Sequence, residues 1–320
     1  MKKVALIGKI HPIGLDILKK YEFEIIDLTG FTREELKKNL SNIDAIALRT
    51  EILDEDIMKS CQSLKIVSRH GVGFDNVDIK YLKKKNIALG ITGTSNAITV
   101  SEHVITMFLY LCKNINNADK IVKERKYNEK KSLKESFEIY QKNILIVGFG
   151  RIGKELSKRC LAFETNVYVN DPYVDKDIIK KNNCIPIELE EGLRIADFIS
   201  LHMPLTNKTK NMIAKNEFKL MKKNSIIVNT SRGGIINEID LEYALKNNFI
   251  FGAGLDVYEK EPPEDSNPLF DLNNIVLTPH NAALTIECQK RMAIETCENI
   301  AFFLNDKKNL NNLNILNLNN

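Results

Sequence analysis

Apolar positions follow two rhythms along this chain: short unbroken runs that stop at a glycine or a charged residue, and longer stretches in which they recur every three or four places. The first rhythm predicts strands and the second predicts helices. Val4 to Gly8 reads as a strand, Ile13 to Lys20 as a helix and Phe23 to Asp27 as a second strand. Glu34 to Leu40 is then helical, Ile43 to Leu48 extended, Asp54 to Cys61 helical, Lys65 to Ser68 extended, and Ile79 to Lys85 helical before Ile87 to Leu89. Repeated strand–helix units of this kind argue for a small parallel sheet covered by helices.

Beyond it, Thr92 to Asn96 reads as a crossing loop, Val100 through Lys123 as one long amphipathic helix, and the lysine-rich stretch from Lys123 to Glu138 as a surface linker. A second series opens at Ile144. Its strands are expected at Ile144 to Val147, Val167 to Val169, Asp197 to His202, Ser225 to Thr230, Phe251 to Val257 and Ile275 to Thr278, with helices between them. Ile286 to Leu304 is a last helix, followed by an Asn/Leu-rich tail of low complexity that is expected to fray. No internal repeat is visible. The length suits two domains, a discontinuous one of residues 1–92 plus 285–320 and a second of residues 93–284.

The second series begins on its most informative stretch. The run Ile144-Leu145-Ile146-Val147 suits a strand buried on both faces, and it ends at Gly148-Phe149-Gly150-Arg151-Ile152-Gly153, after which Ile152, Leu156, Cys160 and Phe163 recur at helical spacing. Gly148 permits a tight turn, Gly150 lets the backbone approach a pyrophosphate, and Gly153 lets the helix pack close to the sheet. The helix N-terminus then faces the anion. Asp171 closes the next strand, near the spacing of about 20 residues expected of the carboxylate that binds a ribose 2′-OH. A carboxylate there repels a 2′-phosphate, which favours NAD over NADP. The expected fold class is α/β in two domains, a Rossmann doubly wound parallel sheet and a smaller flavodoxin-like parallel α/β domain.

Composition narrows the field. Apolar residues at 43% and charged residues at 28% are ordinary for a globular protein, and a net charge of +4 over 320 residues leaves no basic footprint for nucleic acid. Six scattered cysteines form no CxxC pair and no zinc-like spacing, so reduced structural thiols and no metal are expected. The longest apolar runs, such as Val104 to Cys112, are too short to span a bilayer, and the N-terminus shows no cleavage site; a cytoplasmic enzyme is expected.

Three strand-end loops hold the polar residues that an oxidoreductase needs: Asn229 to Gly234, Asp256 to Pro263, and Leu277 to Asn281. In open α/β sheets the ligand crevice lies outside the carboxyl ends of the strands, so these loops and the glycine turn can converge on one cleft. With these motifs in place, the sequence resembles the D-isomer-specific 2-hydroxyacid dehydrogenase family from Val4 to about Leu304. The resemblance rests on Gly71 to Asp78, Gly148 to Gly153, His202 to Thr206, Asn229 to Gly234, Gly254 to Val257, Glu261 to Pro263 and Pro279-His280. Among such enzymes it is closest in look to 3-phosphoglycerate dehydrogenase, in a short form.

That resemblance implies catalytic Arg232, Glu261 and His280. The residue types suit the chemistry. An imidazole titrates near neutrality and can take the hydroxyl proton of a 2-hydroxy acid. A carboxylate beside it favours the protonated ring and orients it, and a guanidinium fork can hold the substrate carboxylate and the C2 oxygen. The resemblance also implies cofactor contacts at Gly148, Gly150, Arg151, Ile152, Gly153, Asp171, His202, Pro204, Thr209, Thr230, Ser231 and Asp256, the last near the nicotinamide carboxamide. Val72 and Gly73 are implied to cradle the substrate carboxylate with backbone N–H groups. His70 is expected to support that loop, and His11 and His103 to be structural.

Arg49 and Arg69 bear on the substrate, since similar arginines in 3-phosphoglycerate dehydrogenases bind its phosphate. An equally ordinary role is as surface or interface residues. The substrate expected first is 3-phosphoglycerate, which would place the chain in serine biosynthesis; glyoxylate, hydroxypyruvate or another small 2-keto acid is the alternative. Many phosphoglycerate dehydrogenases carry a C-terminal regulatory domain; here the sequence ends soon after the last helix, so feedback by serine through such a domain is not expected. Glu261 speaks against the formate dehydrogenases of the superfamily, which have glutamine there. An alternative of another class is a dinucleotide-sensing corepressor, though residues 1 to 50 show no extended partner-binding arm. The family commonly dimerises through the region matching Ser95 to Lys126, where Val104, Met107, Phe108 and Leu111 form an apolar stripe that core packing explains equally well; a homodimer with no nucleic-acid or membrane partner is expected.

Overall fold

A computed structural model describes residues 1–305 and 315–316, and the chain divides into two compact units, Met1–Asn96 with Ala283–Asn320, and Ala97–Ala282. The first unit is built on strands β1 (Lys3–Ile7), β2 (Glu24–Asp27), β3 (Ala45–Leu48), β4 (Ile66–Arg69) and β5 (Ala88–Gly90). They lie in the order β5-β4-β3-β1-β2, all parallel, which is the 2-1-3-4-5 order of flavodoxin-like sheets.

Alternation along each strand divides the core. Ala5, Ile7, Ile46, Leu48 and Val67 face a layer with Leu36, Leu40, Ile57 and Leu82, while Val4, Leu6, Ala45, Ala47 and Ile66 face Leu18, Ala293, Cys297 and Ile300. The second layer joins the Pro12–Lys20 helix to the Ile286–Asn305 helix, so the last helix of the chain belongs to the first unit. Gly14 permits that contact, because a Cβ there would stand 2.6 Å from the Ala293 carbonyl oxygen.

Side chains cap several helices where the sequence places them: Thr32 forms a capping box with Glu35, and Asp54, Asp78 and Asn237 each accept from an N–H of the first turn. Part of the tail departs from expectation. Ile315–Leu316 forms a short strand antiparallel to β5, whereas residues 306–314 and 317–320 lie outside the described residues.

The second unit contains β6 (Asn143–Val147), β7 (Asn166–Asn170), β8 (Ile185–Pro186), β9 (Phe198–Leu201), β10 (Ile226–Asn229), β11 (Gly252–Leu255) and β12 (Ile275–Leu277). The order β12-β11-β10-β9-β6-β7-β8 is parallel throughout and doubly wound. The direction of winding reverses between β6 and β9, where dinucleotides bind in sheets of this kind. β8 was not expected, because two half-covered residues leave no apolar run to read.

One expectation fails here. The single helix from Val100 to Lys123 is two helices, Ala97–Cys112 and Ile115–Lys123. The break falls at Asn114, whose φ of +52° is left-handed, a conformation asparagine tolerates better than most residues. Apolar spacing continues across the break and conceals it. The stripe Val104, Met107, Phe108 and Leu111 is buried in the unit's own core against Ile144, Ile146 and Phe198. No described helix is long and apolar enough to cross a membrane.

Candidate active site

Because every strand of the second sheet is parallel, the C-terminal ends of β6, β9, β10, β11 and β12 share one edge. On it stand the glycine turn, His202, the Thr230 to Arg232 loop, Asp256 and the Thr278 to Asn281 turn.

The glycine turn is fixed by close contacts. Gly148 has φ +96°, and a Cβ on it would lie 2.6 Å from the His202 carbonyl oxygen; a Cβ on Gly153 would lie 2.3 Å from the Gly148 oxygen. Gly150 differs, since nothing lies within 4 Å of an added Cβ. The Arg151–Ala162 helix starts from Gly150 with no side-chain cap. A helix start without a side-chain cap, with room above the backbone at Gly150, is the arrangement that receives a phosphate. Asp171 is built into the same turn: its Oδ2 accepts from the Phe149 N–H at 2.7 Å and its Oδ1 from the Tyr173 N–H at 2.9 Å. Each carboxylate oxygen can accept a further bond, so the group can still serve a ribose.

Further along the edge, the Ser200 hydroxyl meets His202 Nε2 at 2.8 Å, while burial pushes the His202 pKa down to about 3 and keeps the ring neutral. His202 Nδ1, Thr230 Oγ1 and Asn281 Oδ1 are buried without a protein partner. Such groups carry a cost unless a ligand or water meets them. Together with the open space at Gly150 they fit a dinucleotide. Thr209 donates its hydroxyl to the Pro204 carbonyl at 2.7 Å, which shapes the loop after β9, and Arg151 and Ile152 open the helix beside Gly150.

His280 and Glu261 come together. His280 Nδ1 lies 2.8 Å from Glu261 Oε2, with the two side chains 53% and 38% exposed. The Glu261 hydrogen bond raises the His280 pKa above its ordinary value; burial opposes this, the Glu261 and Asp256 charges assist it, and Arg232 works against it. Burial also works against the Glu261 carboxylate, but the His280 bond and charge, the Tyr258 N–H and Arg232 together hold it below the usual carboxylate range. The Arg232 charge thus acts on both members of the pair.

The Arg232 loop is shaped by Asn229, whose Oδ1 accepts from the Ser231 N–H and hydroxyl and whose Nδ2 donates to the Arg232 carbonyl. Gly233 completes it. A Cβ on Gly233 would fall 1.7 Å from the Tyr258 carbonyl oxygen, so the loop carrying Arg232 lies directly on the segment that leads to Glu261. In the sequence Gly233 stands out only as part of a motif, since a close backbone approach across loops has no local signature.

In the first unit, Arg49 follows β3 and Arg69 ends β4, on neighbouring strands. Both charges act on His70, whose pKa is pushed down to about 4, by burial first and then by the two arginines. Arg69 donates from Nε to Asn76 Oδ1 and from Nη1 to the His70 carbonyl, while Arg49 reaches the Lys9 carbonyl at 3.4 Å. Val72 and Gly73 follow in a partly covered loop. His11 caps the first helix, as a structural histidine would. The free cysteines are mostly buried, and burial lifts the Cys160 and Cys297 thiols to about 12.

A family model described as D-isomer specific 2-hydroxyacid dehydrogenase, NAD binding domain, matches residues 105–282. The chain belongs to the D-isomer specific 2-hydroxyacid dehydrogenase family. It is 37% identical over 299 residues to a D-3-phosphoglycerate dehydrogenase of Archaeoglobus fulgidus, covering 93% of this chain and 56% of that protein. It is also 37% identical over 290 residues to a hydroxypyruvate reductase of Thermotoga maritima, covering 89% of this chain and 92% of that one. Among solved structures, the NAD complex of an NAD-dependent formate dehydrogenase from Staphylococcus aureus aligns with a TM-score of 0.81 at 28% identity, over 95% of this chain and 96% of the other. The chain spans about half the length of the phosphoglycerate dehydrogenases it matches, from 48% to 60%. The glycine turn lies within the family's NAD-binding domain.

Proposed function

We propose that this chain interconverts a small D-2-hydroxy acid and its 2-keto acid with NAD(H). The observation that carries the reading is the Glu261–His280 pair, within the field of the Arg232 charge, on the sheet edge that also holds the glycine turn. When bound, NAD would supply the acceptor for the C2 hydride in oxidation, and NADH the hydride donor in reduction. Residues do the rest. His280 engages Glu261 through Nδ1, which leaves Nε2 to take the hydroxyl proton and to return it to the carbonyl oxygen in reduction. Glu261 orients the ring and favours its protonated form. Arg232 supplies a permanent charge for the substrate carboxylate and the C2 oxygen. On the cofactor side, Gly148, Gly150, Arg151, Ile152 and Gly153 receive the pyrophosphate; Asp171 takes the ribose and selects NAD; His202, Pro204, Thr209, Thr230, Ser231 and Asp256 belong to the remainder of the cofactor site.

For the substrate we favour 3-phosphoglycerate. Support comes from the names of several relatives and from the paired charges of Arg49 and Arg69, with Val72 and Gly73 offering N–H groups to the carboxylate. Hydroxypyruvate or glyoxylate is the second reading, favoured by relatives that this chain covers over most of their length. A cytoplasmic homodimer fits the family, and Ile115 and Val122, exposed on the Ile115–Lys123 helix, are candidate contacts that sedimentation with Val122→Lys would test.

The direct experiment follows NADH absorbance with 3-phosphohydroxypyruvate, hydroxypyruvate and glyoxylate. His280→Ala is expected to lower turnover about 10²- to 10⁴-fold while NADH binding is kept. Full activity in that variant would overturn the mechanism.

A further inference from the structure

The turn that carries His280 is held from below by residues that the proton transfer itself does not use. Asp256, at the end of β11, is 1% exposed, and three donors converge on it: the Thr278 hydroxyl at 2.6 Å and the Asn281 N–H at 2.9 Å on Oδ1, and the Ala282 N–H at 3.0 Å on Oδ2. They flank His280 on both sides. The Thr278 carbonyl accepts from the Tyr258 hydroxyl and from the His280 N–H, each at 3.0 Å. His280 has φ +49°, a left-handed conformation that is uncommon for a non-glycine residue.

The chain of bonds continues to the Ala97–Cys112 helix. His103 Nε2 lies 3.1 Å from Thr278 Oγ1. A hydroxyl has one hydrogen, and that of Thr278 is committed to Asp256, so the hydroxyl accepts from His103. His103 therefore carries its proton on Nε2. The direction of the relay is fixed: His103 donates to Thr278, and Thr278 donates to Asp256.

We propose that His103, Thr278 and Asp256 form a hydrogen-bonded relay that positions His280, with Asp256 gripping the turn's backbone and His103 anchoring the relay to the buried helix. Labour is divided between two carboxylates: Glu261 holds the imidazole ring, and Asp256 holds the backbone from which the ring projects. The proposal rests on His280 being the proton-transfer group, and it makes Thr278 and His103 positioning residues.

Thr278→Val removes the hydroxyl at nearly constant volume. It is expected to lower kcat about 10- to 100-fold with NADH affinity kept, because small displacements of a catalytic group have effects of this size. Thr278→Ser should restore most of the rate. Two readouts are independent of turnover. Amide hydrogen exchange across 278–282 should quicken in Thr278→Val. The NMR titration midpoint of the His280 ring, assigned with His280→Ala, should fall in Asp256→Asn, since Asp256, Glu261 and Arg232 are the charged groups acting on that ring. Wild-type kcat in Thr278→Val, a Thr278→Ser protein as slow as Thr278→Val, or a rate loss matched by lost NADH affinity would each overturn the relay. Unchanged exchange and titration would do so too. A wild-type protein inactive on every 2-keto acid, with those two readouts behaving as expected, would leave the relay standing and sink the dehydrogenase reading instead.

Discussion

His280 Nδ1 and Glu261 Oε2 meet at 2.8 Å from separate loops, one after β12 and one after β11. The pair links local geometry to pH dependence. Glu261 raises the His280 pKa, so the protonated ring, the acid needed for keto-acid reduction, persists to higher pH than an isolated imidazole would allow. Reduction should fall as pH rises through the His280 pKa, and oxidation, which needs the neutral ring, should rise through the same value. In Glu261→Gln both limbs are expected to move to lower pH. Profiles of kcat/KM in the two directions test this, and a limb that stayed in place would show that another group titrates.

Two glycines of one motif should behave oppositely. Gly153→Ala gains about 1 kcal/mol of helix propensity, but its Cβ meets the Gly148 oxygen at 2.3 Å and the backbone must give way. Overpacking of this kind costs about 1–3 kcal/mol, so a net loss of stability is expected in thermal melts. Gly150→Ala meets nothing within 4 Å and should melt like the parent protein, yet bind NADH poorly, because the methyl group occupies the space a pyrophosphate needs. Normal NADH affinity in Gly150→Ala would remove the cofactor from that position.

The glycine turn and its flanking strand and helix were readable because their signals are local: an apolar run, three glycines at fixed offsets, a helical repeat and a carboxylate after the next strand. Arg232, Glu261 and His280 could be nominated by resemblance, but their proximity depends on three strand ends lying on one edge, and apolar periodicity does not encode strand order. Asn114 shows another limit. Its left-handed φ divides a helix whose apolar spacing runs on unbroken, so the boundary lies in a single backbone torsion. His103 and Thr278 are polar residues far apart in sequence, and their contact emerges only when the helix packs on the sheet.

Asp171 holds the Phe149 N–H as well as being the candidate ribose ligand, so its removal should act in two ways. A hydrogen bond to a charged group contributes about 1.5–3 kcal/mol, which corresponds to about 10- to 100-fold in affinity. Asp171→Ala is expected to weaken NADH by that order while NADPH binding holds or improves, since the carboxylate that repels a 2′-phosphate is gone. Titration calorimetry with both cofactors separates the effects. A parallel loss for NADH and NADPH would assign Asp171 to building the turn alone.

The substrate question reduces to one group, because 3-phosphohydroxypyruvate and hydroxypyruvate differ only in the phosphate. Arg69 is a poor probe of it: its Nε and Nη1 bonds to Asn76 and to the His70 carbonyl hold the loop, and their loss would harm any substrate. Among the described residues the Arg49 side chain hydrogen-bonds only to the Lys9 carbonyl, at a long 3.4 Å, so Arg49→Ala removes a charge with little collateral change. If the two arginines bind phosphate, KM for 3-phosphohydroxypyruvate should rise about 10- to 100-fold in that variant, the range for a lost charge-assisted bond, while KM for hydroxypyruvate stays near its original value. Equal effects on both substrates would make Arg49 structural. A wild-type preference for hydroxypyruvate that Arg49→Ala leaves untouched would move the assignment from the phosphorylated acid to the smaller one.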